Sequence, residues 1–72
     1  MELLEALRIQ TGCAFISDLR GFAQVHFLGD ALQKINVRQY DVQEWEKAVN
    51  YITGSTKSFQ TQEEAAEYLK NF

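Results

Sequence analysis

The 72-residue chain contains no proline, a single cysteine (Cys13), a single histidine (His26) and four glycines. Without proline or a low-complexity tract there is no signal for a linker or a disordered tail. Residues 1–72 therefore read as one small domain. A lone cysteine cannot close an intrachain disulfide. No grouping of Cys, His and carboxylates has the spacing of a structural zinc site, so no metal or other cofactor is expected. No apolar run approaches the roughly 20 residues that cross a bilayer, so a membrane partner is not expected. The opening "MELLEALRIQ" is acidic and amphipathic and lacks the basic and apolar regions of a signal peptide. With one free thiol, these features lead us to expect a cytoplasmic protein. Small size and the lack of linkers suggest a bacterial or phage type.

Basic charge is also scarce. Seven Lys and Arg face ten Asp and Glu, giving a formal net charge of -3. Arg8, Arg20, Lys34, Arg38, Lys47, Lys57 and Lys70 are spread almost evenly, with no two adjacent. Affinity for phosphates comes mostly from clustered cations, so nucleic acid is not the expected partner. A domain of this size buries only about 60% of the surface its unfolded chain exposes. It must stand on packing alone or gain stability by association.

Helical signals dominate what is present. From Glu2 to Thr11, Leu3, Leu4, Ala6 and Leu7 share one face, and Gly12 follows where helices commonly stop. In "YDVQEWEKAVNYITG", Asp41 is placed as an N-cap with Glu44 completing a capping box, and Tyr40 and Trp45 have the spacing of a hydrophobic staple. Val42, Trp45, Ala48, Val49 and Ile52 continue the apolar stripe to Gly54. Thr61 and Glu64 repeat the capping pattern before a stripe of Ala65, Tyr68, Leu69 and Phe72. Between these helices, "GSTKSFQ" reads as an extended segment anchored by Phe59.

The middle of the chain is less regular. A short helix is expected near Ser17–Phe22, capped by Ser17 and broken at Gly21. A further helix should run from about Phe27 to Ile35, with Asp30 and Lys34 as an i,i+4 pair. The expected fold is all-α, a compact bundle of four to five short helices. Its core would comprise Leu4, Leu7, Phe15, Leu19, Leu28, Leu32, Trp45, Val49, Ile52, Tyr68 and Leu69. The competing reading is α+β, with a two-stranded ribbon pairing residues near 14–17 with residues near 57–60.

The segment "GCAFISDLRGFAQVH" gathers Cys13, Ser17, Asp18 and His26, all residue types used in catalysis. Cys13 has no family-type signature around it and is better placed in packing after the helix-ending glycine. A triad of Ser17, His26 and Asp18 or Asp30 lacks the Gly-x-Ser-x-Gly elbow. A domain this small would also struggle to enclose a substrate pocket of about 300 Å³. The chain is therefore expected not to be an enzyme. One alternative is a helix-turn-helix-like nucleic-acid binder that uses Gly21 as its turn glycine, with a recognition helix beginning near Phe27. The poor supply of cations there argues against it. The preferred reading is a protein-interaction or regulatory domain whose partner is another protein or a second copy. Five Phe, three Tyr and one Trp exceed what so small a core absorbs. Tyr40, Tyr51, Phe59, Phe72 and His26 are the candidates for an exposed interaction surface.

Overall fold

The structure, a computed structural model, describes residues 2–26 and 28–72. Among the described residues there are five α-helices, one 3-10 turn and no strand. The helices are α1 (Leu3–Thr11), α2 (Asp18–Val25), α3 (Gly29–Gln33), α4 (Val42–Thr53) and α5 (Gln62–Lys70). The 3-10 turn, Val37–Gln39, joins α3 to α4. The fold is all-α, and no ribbon forms. Residues 14–17 make successive turns that lead into α2, and residues 57–60 lie apart from them beside α4.

The longest helix, α4, is the centre. Its stripe of Trp45, Ala48, Val49 and Ile52 is buried, and it packs against α1, α2 and α5. Leu3, Leu7, Leu19 and Leu69 complete the most deeply buried set. Burying each such side chain contributes about 1.5–3 kcal/mol before entropy is counted. Trp45 also carries a polar group inward, and its indole N–H donates to the carbonyl of Val37 at 2.8 Å.

The ends of the helices mostly follow their sequence signals. Gly12 and Gly54 adopt the left-handed conformation, φ 76° and 70°, that lets the chain turn away from α1 and α4. Asp41 Oδ1 accepts the Glu44 N–H at 2.8 Å, and Thr61 Oγ1 accepts the Glu64 N–H at 3.1 Å. Glu44 departs from the expected capping box. Its carboxylate accepts the Leu3 N–H at 2.7 Å, so it caps α1 from 41 residues away. The N-cap residue of α1, Glu2, makes no such bond with its own side chain.

The middle segment requires corrections. Ser17 has helical dihedrals and makes no capping bond. Asp18, the first residue of α2, instead reaches back, and its carboxylate accepts the Phe15 N–H of the preceding turn at 3.1 Å. Gly21 does not break the helix, because α2 runs through it to Val25. Its neighbours Leu19 and Ala23 are buried on the core side, which outweighs the roughly 1 kcal/mol cost of a helical glycine. The next helix is shorter than the expected Phe27–Ile35. Phe27 lies outside the described residues, and Lys34 and Ile35 close α3 in a turn rather than extending it. Phe15 is not in the core but 69% exposed. It is adjacent to Ile16 in a turn, and Ile16 takes the inward position. Leu3 occupies the deep site expected for Leu4, which is half-buried, as is Tyr68.

Among the described residues two ion pairs lie on the surface, Arg8–Glu5 and Arg38–Glu63. Arg8 grips both oxygens of Glu5 and also donates to the Cys13 carbonyl at 3.1 Å, which ties the turn after α1 to that helix. The hydrogen bonds from Arg8 hold the Glu5 carboxyl below its usual pKa.

Four substitutions test this packing by urea unfolding. Leu19→Ala should cost about 2–5 kcal/mol, while Phe15→Ala should stay within about 0.5 kcal/mol. Gly21→Ala should stabilise by roughly 0.5–1 kcal/mol, because Gly21 has ordinary helical dihedrals and open space around a built Cβ. The same change at Gly12 should destabilise, because φ there is positive. The Glu5 contribution is present above its unfolded-state pKa and is lost as the pH falls through its lowered folded-state value. Glu5→Gln should therefore make stability slightly less sensitive to acid, measured by unfolding across the carboxylate range.

Candidate functional site

The five aromatic and histidine candidates are not one patch. Tyr40 is only 7% exposed, because the staple position before α4 lays it into the same cluster as Trp45. Tyr51 is on the outer side of α4 with the Arg20 guanidinium over its ring at 5.7 Å. His26 is exposed at the end of α2 and stacks on Phe22, with ring centroids 4.6 Å apart. Phe59 and Phe72 do come together, in a groove beside α5.

That groove is open to solvent and has a volume of about 710 Å³. Phe59, Tyr68 and Phe72 supply its aromatic surface, and Lys57, Glu64 and Glu67 its charges. Phe59 is 9% exposed, so the expectation that it lies on the surface is corrected. It forms part of the floor, tilted against Tyr68 with centroids 5.6 Å apart. Phe72 is 53% exposed at the rim. The Lys57 ammonium lies over the Tyr68 ring, 4.8 Å from its centroid. Such a contact contributes about 0.5–1 kcal/mol at an exposed site.

The groove owes its shape to polar residues of α4. Asn50 grips Lys57 of the "GSTKSFQ" segment with both ends of its amide: Oδ1 accepts the Lys57 N–H at 3.0 Å and Nδ2 donates to the Lys57 carbonyl at 2.9 Å. One helical turn earlier, Glu46 accepts the Phe59 N–H at 3.1 Å. Residues 46 and 50 are neighbours on the helix surface. They hold alternate residues, Lys57 and Phe59, on the same side, which is the bonding pattern of an extended chain. Asn50 Oδ1 also accepts from Ser55, and Ser55 is bonded to Thr53, so the turn after α4 belongs to the same network.

Sequence reasoning missed Tyr68 in this groove and other exposed side chains outside it. Tyr68 was assigned to the core by its place in the α5 stripe, yet it is half-buried and faces the groove. Phe15 and Val25, 69% and 75% exposed, were not among the surface candidates. For Val25 the signal existed, since helical spacing puts it well off the face of Leu19 and Ala23.

A second groove, about 370 Å³, lies between the starts of α1 and α4 and includes Glu2, Asp41, Glu44 and Lys47. The carboxylates of Asp41 and Glu44 are already engaged in capping, which accounts for that acidic cluster. Cys13 is half-buried and packs against the core. Among the described residues no group of three or more His, Cys, Asp or Glu could hold a metal ion. Among them, too, no helix is long and apolar enough to cross a membrane.

Asn50→Ala should release the extended segment. The expected signs are a loss of about 1–3 kcal/mol for the partners left unpaired and faster amide hydrogen exchange at Lys57, read by NMR.

Compared with protein-family models, with curated proteins and with solved structures, the chain gives no match.

Proposed function

We propose that this chain is a non-enzymatic interaction module that docks another protein, or a second copy of itself, through the groove beside α5. One observation carries the reading. The fold gathers Phe59, Tyr68 and Phe72 on one open groove, while most of the other aromatic rings serve the core or pair locally. Aromatic side chains with charged neighbours at the rim are the composition that binding hot spots favour. The polar clamps from α4 hold the groove in shape before anything binds, which lowers the ordering cost of association. A cytoplasmic setting, in which the lone thiol stays reduced, belongs to the same proposal.

The helix-turn-helix alternative gains no support from the geometry. Gly21, its turn glycine, lies inside α2, and α3 in the recognition position has five residues.

Amide NMR tests the docking reading. A rise in protein concentration from roughly micromolar to millimolar, or addition of a mixed peptide library, should shift the amides of Ser58, Glu67, Asn71 and Phe72. Phe72→Ala should abolish the shift with the fold intact. Shifts confined to Phe22, Val25 and His26 would move the surface to α2, and no shift at all would remove the proposal. Binding to random duplex DNA at about 50 mM salt, where phosphate contacts are strong, should be absent.

A further inference from the structure

The extended segment that walls the groove has one edge in use and one edge open. The N–H and carbonyl of Lys57 face α4 and are both bonded by Asn50, and the N–H of Phe59 faces the same way, onto Glu46. In an extended chain the backbone groups of successive residues point to opposite sides. The N–H and carbonyl of Ser58 therefore face away from α4. Among the described residues neither of them has a hydrogen-bond partner. Ser58 is exposed and lines the groove beside Phe59, Tyr68 and Phe72.

From this we infer that the groove takes an extended peptide carrying an apolar anchor flanked by Lys or Arg, which pairs with the open backbone edge at Ser58. The inference rests on the docking reading above and names its occupant. A peptide laid along this edge exchanges both backbone hydrogen bonds with Ser58, as opposed residues of two antiparallel strands do. Its alternate side chains then fall over the aromatic floor, the arrangement by which strand addition combines backbone affinity with side-chain choice. Charge sets the preference for a basic peptide. The groove carries the carboxylates of Glu64 and Glu67, the latter accepting from Asn71 Nδ2 at 3.0 Å, against one ammonium, Lys57, which lies over the Tyr68 ring. The chain as a whole is acidic, with net charge -3, so long-range attraction acts in the same direction.

The test uses the full chain, labelled for amide NMR, and three sets of short peptides, N-acetylated and C-amidated. The first has a central Leu or Phe flanked by Lys and Arg. The second has Glu and Asp in place of the cations. The third repeats the first with the central residue N-methylated, which removes one backbone donor. The basic set should shift Lys57, Ser58, Phe59 and Asn71 and bind at least about tenfold more tightly than the acidic set, a difference of about 1.4 kcal/mol. N-methylation should weaken it by a similar factor. The double variant Glu64→Lys, Glu67→Lys should reverse the preference, and Glu64→Gln with Glu67→Gln should erase it if the reversal proves too destabilising. Equal or better binding of the acidic set at the groove overturns the charge preference while the docking reading stands. So does self-association through the groove with no peptide bound. Indifference to N-methylation overturns the backbone pairing. If no peptide and no second copy perturbs the groove, both the inference and the docking reading fall.

Discussion

The indole of Trp45 is the constraint on which the rest of the molecule depends. It is fully buried at the fourth position of α4, the helix that packs against α1, α2 and α5. An indole in such a place needs a partner for its N–H, and the carbonyl of Val37 provides it. That bond draws the 3-10 turn over the start of α4 and fixes the path from α3. The turn in turn packs against α5, and Arg38 within it reaches Glu63 at the start of α5. One side chain thus sets both the centre of the core and the route of its least regular connection. In a domain with so little interior, one side chain with both roles carries a large share of the organisation.

The polar face of α4 does comparable work at longer range. Glu44 caps α1, Glu46 holds Phe59 and Asn50 holds Lys57. Each satisfies backbone donors that would otherwise have no helical or sheet partner. The helix is therefore engaged on both sides, with apolar residues inward and carboxylate and amide groups gripping the segments that pass its ends. The groove beside α5 is a consequence of this arrangement. Its wall is a stretch of chain without secondary structure of its own, held to α4 by two side chains one helical turn apart. Because only one edge of that stretch is gripped, the other retains unpaired backbone groups beside an aromatic floor.

The helices with strong end signals were readable from the chain. Gly12 and Gly54 are left-handed caps, Asp41 and Thr61 begin α4 and α5, and the stripe from Trp45 to Ile52 is buried as its spacing requires. The segment around α2 was less legible, because Ser17, Asp18 and Gly21 each carry ambiguous local preferences. Packing of Leu19 and Ala23 decided that the helix continues through the glycine. Of the candidate surface residues, Tyr51, Phe72 and His26 are exposed, while Tyr40 and Phe59 are not. An aromatic ring's burial depends on which neighbour competes for the same space, and composition does not carry that information.

By itself the sequence determined that helices dominate the chain, where its two best-capped helices begin and which stripe of α4 faces inward, while the choice against a small ribbon came from the structure. These are local matters, set by spacing along one helix and by side chains within a turn of its end. Only the tertiary structure decided that Glu44 serves α1 rather than its own helix, that Asn50 grips Lys57, and that Phe59, Tyr68 and Phe72 share a groove. Those contacts join residues distant in sequence or on different elements. Their partners are chosen by how the elements pack, which no spacing along the chain encodes.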